Sequence, residues 1–335
     1  MIEVKNLVKK YGNHIAVDNI SFNVESGRIY GFLGPNGAGK STTMNIMTGY
    51  IGATEGEVII NGFNILEEPK KAKQCIGYLP ELPPLYMDMT VEEYLKFVAQ
   101  LKEIPKKEIE SAVEEVCERI QLEEVAERLI KNLSKGFKQR VGLAAAVIGF
   151  PEIIILDEPM VGLDPKQIIE IRELIRELSK EHTVILSSHI LAEVKEICDY
   201  VIIISHGKIV ASDTPDNLEK MVHGKEVIEV TVKAQEKDVT ELLDKIQGVT
   251  SFNCEQKEEL LEININATGE NENICEDISV AFVQGKKPIR RLHTVKETFE
   301  NIFLELTENE EPDDLVADEE VLEQAENVDV EEKEA

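Results

Sequence analysis

Along the first two thirds of the chain, short aliphatic runs alternate with longer stretches whose apolar residues recur at helical spacing. Ile153-Ile154-Ile155-Leu156 and Val184-Ile185-Leu186 are unbroken aliphatic runs, each followed at once by polar side chains. That is the pattern of a strand buried on both faces of a sheet, with its carboxyl end opening onto a site. Between the two runs, Gln167 to Lys180 carries Ile168, Ile171, Leu174, Ile175 and Leu178 three or four residues apart. This spacing predicts a crossover helix joining two parallel strands. Repeated from residue 1 to about 222, the alternation predicts an α/β domain with a largely parallel sheet.

After His223-Gly224 the pattern changes. A strand over Val227 to Val232 is followed by a helix over Val239 to Ile246 and two strands, around Phe252 and over Leu261 to Ile265. A helix over Ile274 to Val283 and a strand around Ile289 to Leu292 complete the order, which predicts a small ferredoxin-like α+β module. A final amphipathic helix is expected over Val295 to Leu306, with Phe299, Ile302, Phe303 and Leu306 on one face. From Glu308 to Ala335 there are 14 acidic residues and one lysine. Such a segment has too few large apolar groups to offset its ordering entropy, so a disordered acidic tail is expected. The predicted organisation is therefore 1–222, 223–307 and 308–335.

The chain of 335 residues exceeds the size at which a single core usually stops growing, in keeping with one large and one smaller domain. Its formal net charge of -29 would repel a phosphate backbone, and it has no tryptophan, so a nucleic-acid partner is not expected. Nearly half of that charge sits in the tail. The five cysteines are widely spaced and form no CxxC pair, as reduced thiols would be. No apolar run approaches the about 18 residues that a membrane-crossing helix needs, and Met1-Ile2-Glu3-Val4-Lys5 does not open a signal segment. A role at a membrane would require docking on a separate membrane protein.

Two stretches carry candidate chemistry. Gly34-Pro35-Asn36-Gly37-Ala38-Gly39-Lys40-Ser41 follows the apolar Ile29 to Leu33 and precedes a helical stretch, Thr42 to Met47. It fits the phosphate-loop pattern in letters and in context. Glycines let consecutive N–H groups curl around one anion, and the helix N-terminus adds its dipole. Lys40 would then reach the β and γ phosphates of ATP, Ser41 would reach Mg2+, and Thr42 continues the nucleotide-binding helix start. The second stretch is the aliphatic strand ending in Asp157-Glu158-Pro159. An acidic pair after a strand is usually a solvated loop. A phosphate loop on the same predicted sheet gives these two distinct tasks, Asp157 in the Mg2+ shell and Glu158 as the general base for attacking water.

Between those motifs stands Leu133-Ser134-Lys135-Gly136-Phe137-Lys138-Gln139-Arg140. It is similar to the signature of ATP-binding-cassette (ABC) ATPases, departing from the commonest form at Lys135 and Phe137. The chain thus resembles that family over about its first 220 residues. The resemblance implies a phosphate-loop cassette with a mostly parallel sheet, an antiparallel β subdomain and a helical signature subdomain. It implies that Tyr11 stacks on adenine, that Ser134 and Gly136 contact the nucleotide of a partner subunit, and that His189 contacts the γ phosphate and orients water. Gly162-Leu163-Asp164-Pro165 resembles the loop that crosses the dimer interface. Where the family usually has glutamine, Ile76-Gly77-Tyr78-Leu79-Pro80-Glu81 places Glu81, which would take the role of Mg2+ contact. The exposed Leu82-Pro83-Pro84-Leu85-Tyr86 is the candidate docking loop.

Two half-sites that must each bind phosphates imply a head-to-tail homodimer with two sandwiched ATP molecules. The form of the Glu81 loop and the appended module resemble ATPases of multidrug, antibiotic-resistance and gliding-motility exporters. That resemblance implies an ATP-hydrolysing subunit serving a separate integral-membrane permease, held at the cytoplasmic face of the membrane. Two other readings are a soluble ABC protein acting on ribosomes or DNA, and a nucleotide-dependent binding module. The complete set of Lys40, Asp157, Glu158 and His189 argues against the latter.

Overall fold

The computed structural model describes residues 1–222, 225–257, 260–268, 273–295 and 303. The chain opens with a hairpin of β1 (Ile2–Tyr11) and β2 (His14–Val24), turned at Gly12 with φ 56°. After β3 (Ile29–Leu33) and α1 (Lys40–Met47) come β4 (Glu55–Ile60) and β5 (Phe63–Asn64). The hairpin and the latter two strands form an antiparallel sheet in the order β2-β1-β4-β5. Next come α2 (Pro69–Gln74), β6 (Ile76–Leu79) and a helical lobe of α3 (Val91–Leu101), α4 (Ile109–Ile120) and α5 (Lys135–Val147). Helix α3 begins in a capping box, in which the Thr90 hydroxyl accepts from the Glu93 N–H and the Glu93 carboxylate accepts from the Thr90 N–H. The chain then alternates β7 (Ile153–Leu156), α6 (Pro165–Leu178), β8 (Thr183–Ser188), α7 (Leu191–Ile197), β9 (Tyr200–Ser205), β10 (Lys208–Asp213) and α8 (Pro215–Val222).

The central sheet has six strands in the order β10-β9-β3-β8-β7-β6, parallel except for β10. Its unbroken aliphatic runs reflect burial on both faces. Ile154, Leu156, Val184 and Leu186 pack into one hydrophobic cluster with the helical lobe, α6 and α7, while Ile153, Ile155 and Ile185 pack into another with α1 and the antiparallel sheet. Each such side chain contributes about 1.5–3 kcal/mol by leaving water. The register pairs Leu33 with Ser188, Leu156 with Leu186 and Leu79 with Leu156. The residues that follow β3, β6, β7 and β8 therefore emerge along one edge.

The last described elements are β11 (Lys225–Val232), α9 (Glu236–Leu243), β12 (Val249–Lys257), β13 (Leu260–Thr268), α10 (Ile274–Gln284) and β14 (Ile289–Val295). Their antiparallel sheet runs β12-β13-β11-β14, the ferredoxin-like arrangement expected of this element order. Alternate strand residues, among them Ile228, Val230, Ile263 and Ile265, face Val239, Leu243, Ile278 and Phe282 of the two helices in a third core.

The fold corrects one boundary. A helix starting at Val295 is excluded, because Val295 pairs with Val227 at the end of β14, where a β-branched residue suits the ladder. Of the rest of that expected helix only Phe303 is described, and it packs against the core cluster of the helical lobe. The expected acidic tail lies outside the described residues. All five cysteines are free. No helix among the described residues is long and apolar enough to cross a membrane.

Helix α5, which begins at the signature, is closed at its other end by a lysine from α3's C-terminus. Lys102 Nζ donates to the carbonyls of Ala146 at 2.8 Å and Ile148 at 2.6 Å. Burial lowers the Lys102 pKa from 10.5 to about 8. Because the folded pKa lies below the unfolded one, stability from this group rises with pH across that window. Lys102→Met is expected to cost about 2 kcal/mol at neutral pH, the scale of charge-assisted hydrogen bonds. Urea unfolding should show the gap to wild type widening from pH 8 upward.

Candidate active site

The phosphate loop leaves β3 at Leu33 and turns into α1 at Lys40. Its glycines are required for different reasons. Gly39 has φ 101°, and a Cβ there would strike the Ala16 carbonyl; a Cβ at Gly34 would strike the Ile204 carbonyl. Gly37, at φ 80°, has open space around it, so its demand is conformational alone. Ala38 is buried, with its N–H donating to the Pro35 carbonyl at 3.2 Å, whereas Asn36 is exposed. The same Ala16 carbonyl places β2 against the loop, and the hairpin tip beyond it carries Tyr11, 46% exposed, with Lys9 Nζ 5.0 Å from the ring centroid.

Lys40 is buried, its Nζ donating to the Gly34 carbonyl at 2.9 Å and the Pro35 carbonyl at 3.2 Å. It also lies 3.5 Å from Glu158 Oε1. Both acids after β7 are buried, Asp157 at 3% and Glu158 at 7% exposure. Ser187 at the end of β8 joins them: its hydroxyl donates to Asp157 Oδ1 at 2.5 Å and accepts from the Glu158 N–H at 2.8 Å. Ser41 Oγ lies 3.4 Å from the same Asp157 oxygen. Glu158 has φ 46°, a left-handed conformation that costs of order 1 kcal/mol or more outside glycine and is concentrated at working sites. His189 Nδ1 lies 3.0 Å from Glu158 Oε2.

The structure thus gathers Lys40, Ser41, Asp157, Glu158 and His189. Ser187 escaped sequence reasoning, as did Ser188 and Glu193. The Ser188 hydroxyl donates to Glu193 Oε2 at 2.8 Å, and burial pushes the Glu193 carboxyl pKa up. The Ser-Ser ahead of His189 was the available signal, since hydroxyls at a buried strand end need partners.

The remaining candidates stand apart from that cluster. Ser134 caps α5 by accepting from the Phe137 N–H at 3.3 Å, and Gly136 lies so close to Gln167 of α6 that a Cβ would clash with its side chain. Among the described residues no hydrogen bond joins Ser134 or Gly136 to the phosphate loop. Glu81 is exposed in the bend after β6. Leu82 beyond it is 85% exposed and Tyr86 53% exposed, the latter edge-on to Tyr94 and Phe97.

Chemically, the cluster offers a cation beside a cradle of backbone N–H groups and a carboxylate within reach of an imidazole. The Ser41 hydroxyl and Asp157 carboxylate converge as hard oxygen donors, which suits Mg2+ held chiefly by phosphates and water. The described residues contain no group of three or more His, Cys, Asp or Glu that could hold a metal ion.

Known proteins share this chain's sequence and fold. A family model described as ABC transporter matches residues 17–161. The bacitracin transport ATP-binding protein BcrA of Bacillus licheniformis is 41% identical over 222 residues, 66% of this chain and 72% of that protein. The linearmycin resistance ATP-binding protein LnrL of Bacillus subtilis (strain 168) is 32% identical over 308 residues, 92% of this chain and 98% of that protein. Among solved structures, an ATP-binding subunit of an ABC transporter shares 32% identity at a TM-score of 0.60, over 66% of this chain and 92% of its own. A dimeric ATP-binding cassette in a post-hydrolysis state bound to ADP and Pi shares 27% identity at a TM-score of 0.59, over 64% of this chain and 98% of its own. The chain belongs to the ABC transporter family, as an ATP-binding and ATP-hydrolysing subunit.

Proposed function

We propose that this chain powers export through a separate integral-membrane permease, working as a head-to-tail homodimer on Mg2+ and ATP at the cytoplasmic face of the membrane. The observation that carries this reading is the cluster in which the buried Glu158 stands between buried Lys40 and the exposed His189 while buried Asp157 faces Ser41. Each group has a task in phosphoryl transfer to water. The loop of Gly34, Pro35, Asn36, Gly37, Ala38 and Gly39 wraps the phosphates, with backbone N–H groups from every position but Pro35, and Lys40 neutralises the β and γ oxygens. Ser41 and Asp157 would hold Mg2+, whose charge would offset that of the phosphate oxygens, and Glu81, exposed after β6, would have to swing in to join them. Glu158 takes the proton of the attacking water and His189 holds that water and the γ phosphate in line. Tyr11 stacks on the base, and Thr42 continues the helix start beneath the phosphates.

Ser134 and Gly136 stand apart from Lys40, so they serve the nucleotide of a second subunit. The dimeric solved cassette supports that reading. Leu82, Pro84 and Tyr86, the exposed members of the Leu82 to Tyr86 loop, form with Glu81 the surface for the permease, while Pro83 is half-buried and Leu85 packs against the core. Transport and resistance relatives with bacterial antibiotics in their names favour an antibiotic-class cargo, selected by the permease. Residues 1–222 form the cassette, 223–307 the accessory domain and 308–335 an acidic tail.

Glu158→Gln keeps the side chain's size and removes its basicity. It is expected to lower ATP turnover about a hundredfold or more while leaving nucleotide binding intact, and to trap an ATP-bound dimer visible as a doubled mass in size-exclusion chromatography. A monomeric variant with wild-type turnover would sink both the base and the dimer. For the unmodified protein, ATPase rate per subunit should rise with protein concentration and vanish in Lys40→Ala. A rate per subunit independent of concentration would mean that each chain holds a complete site.

A further inference from the structure

We propose that Glu193 is a positioning residue for hydrolysis, which fixes the short loop carrying His189 through the hydroxyl of Ser188. The proposal rests on the reading of Glu158 and His189 given above. Glu193 is the third residue of α7 and only 8% exposed. Its Oε2 accepts from Ser188 Oγ at 2.8 Å, and the same hydroxyl accepts from the Ile190 N–H at 3.0 Å. His189 is therefore flanked by two residues that share one hydroxyl, and that hydroxyl is anchored by a carboxylate. On the other side, the His189 ring meets Glu158 Oε2 at 3.0 Å. A chain of contacts runs from Glu193 through the loop to the candidate base.

A simpler role would be to sit in the first turn of α7, where the helix dipole favours an acid. An exposed position serves that purpose without desolvating the carboxylate. Here burial, the largest effect, and the nearby Glu158 both raise the Glu193 pKa, against the Ser188 hydrogen bond, His189 and Arg172, which lower it. The Ser188 hydroxyl has a second acceptor in reach, the Ile190 carbonyl at 3.4 Å. Without the Glu193 carboxylate its proton would turn there, leaving the loop tied to α7 only through the Ile190 carbonyl, which accepts from the Glu193 N–H at 3.2 Å and the Val194 N–H at 3.5 Å.

The test uses the full chain with Glu193→Ala, Glu193→Gln, Ser188→Ala and the Glu193→Ala/Ser188→Ala pair. Glu193→Ala and Ser188→Ala are each expected to lower kcat about tenfold to a hundredfold, the scale of a misplaced catalytic group, with KM for ATP changed less than about twofold, as when only transition-state interactions are lost. The pair should be no worse than the more damaged single variant, because both cut the same linkage. Glu193→Gln should recover most of the loss, since its amide oxygen accepts the same hydroxyl. The 1H–13C signals of the His189 ring should move in both single alanine variants and stay near wild type in Glu193→Gln, with unfolding midpoints confirming that each variant is folded. Multiplicative losses in the pair, wild-type kcat in the alanine variants, or an unmoved His189 signal would overturn the proposal. If Glu158→Gln hydrolyses ATP normally, the base assignment fails separately, because the ring signals report on the loop without any turnover.

Discussion

Everything at this site depends on a parallel register. Four strands, β3, β8, β7 and β6, run the same way and end nearly level, so four loops from distant parts of the sequence emerge side by side. Parallel pairing requires crossover connections and burial on both sheet faces. The chain satisfies that demand with aliphatic runs whose odd and even members enter two separate cores. A shift by one residue would move Asp157 away from Ser187 and send Ile154 and Ile155 into each other's cores.

That edge also resolves an electrostatic difficulty. Two adjacent carboxylates and a lysine are taken almost wholly out of water, which is costly unless each is partnered. Lys40 has two carbonyls and Glu158; Asp157 has the Ser187 and Ser41 hydroxyls; Glu158 has His189 and, through its own N–H, Ser187. Each group is satisfied by partners within the chain, so the cluster is ordered in advance. The left-handed turn at Glu158 is held in place by the Ser187 bond on one side and by the buried β7 on the other.

Much of this was legible in the sequence because two signals agreed. The β-branched runs at Ile153 and Val184 identified buried strands, and the polar letters after them marked the site edge. The phosphate loop could be placed because its Gly, Lys and Ser spacing stands between an apolar run and a helical stretch, and the structure adds that Gly34 and Gly39 sit against the Ile204 and Ala16 carbonyls. The ferredoxin-like order was readable from alternating apolar positions such as Ile228, Val230 and Val232. What escaped was relational. Ser187 and Glu193 look like ordinary polar residues until the register brings them to Asp157 and Ser188, contacts 30 and 5 residues apart. The end of β14 was misjudged at Val295 because an amphipathic period fits that residue as well as a strand does, and only its pairing with Val227 decides.

The departures from the usual signature also acquire a physical setting. Lys135 is exposed at the start of α5, and its ammonium rests against Gly162 in the loop after Glu158, where φ is 68°. One turn further on, Arg140 reaches Glu170 of α6, stacks near Phe137 and also meets Gln121. The start of α5 is thereby bound to the same loop and helix that follow the candidate base. A movement of the helical lobe that shifts Ser134 must carry the 162–165 loop with it or break the Arg140–Glu170 pair, which is partly buried and costly to leave half-made. Lys135 stands where the commonest signature has glycine and Phe137 where it has glutamine, and Phe137 here lies beside Arg140, whose guanidinium reaches Glu170 of α6.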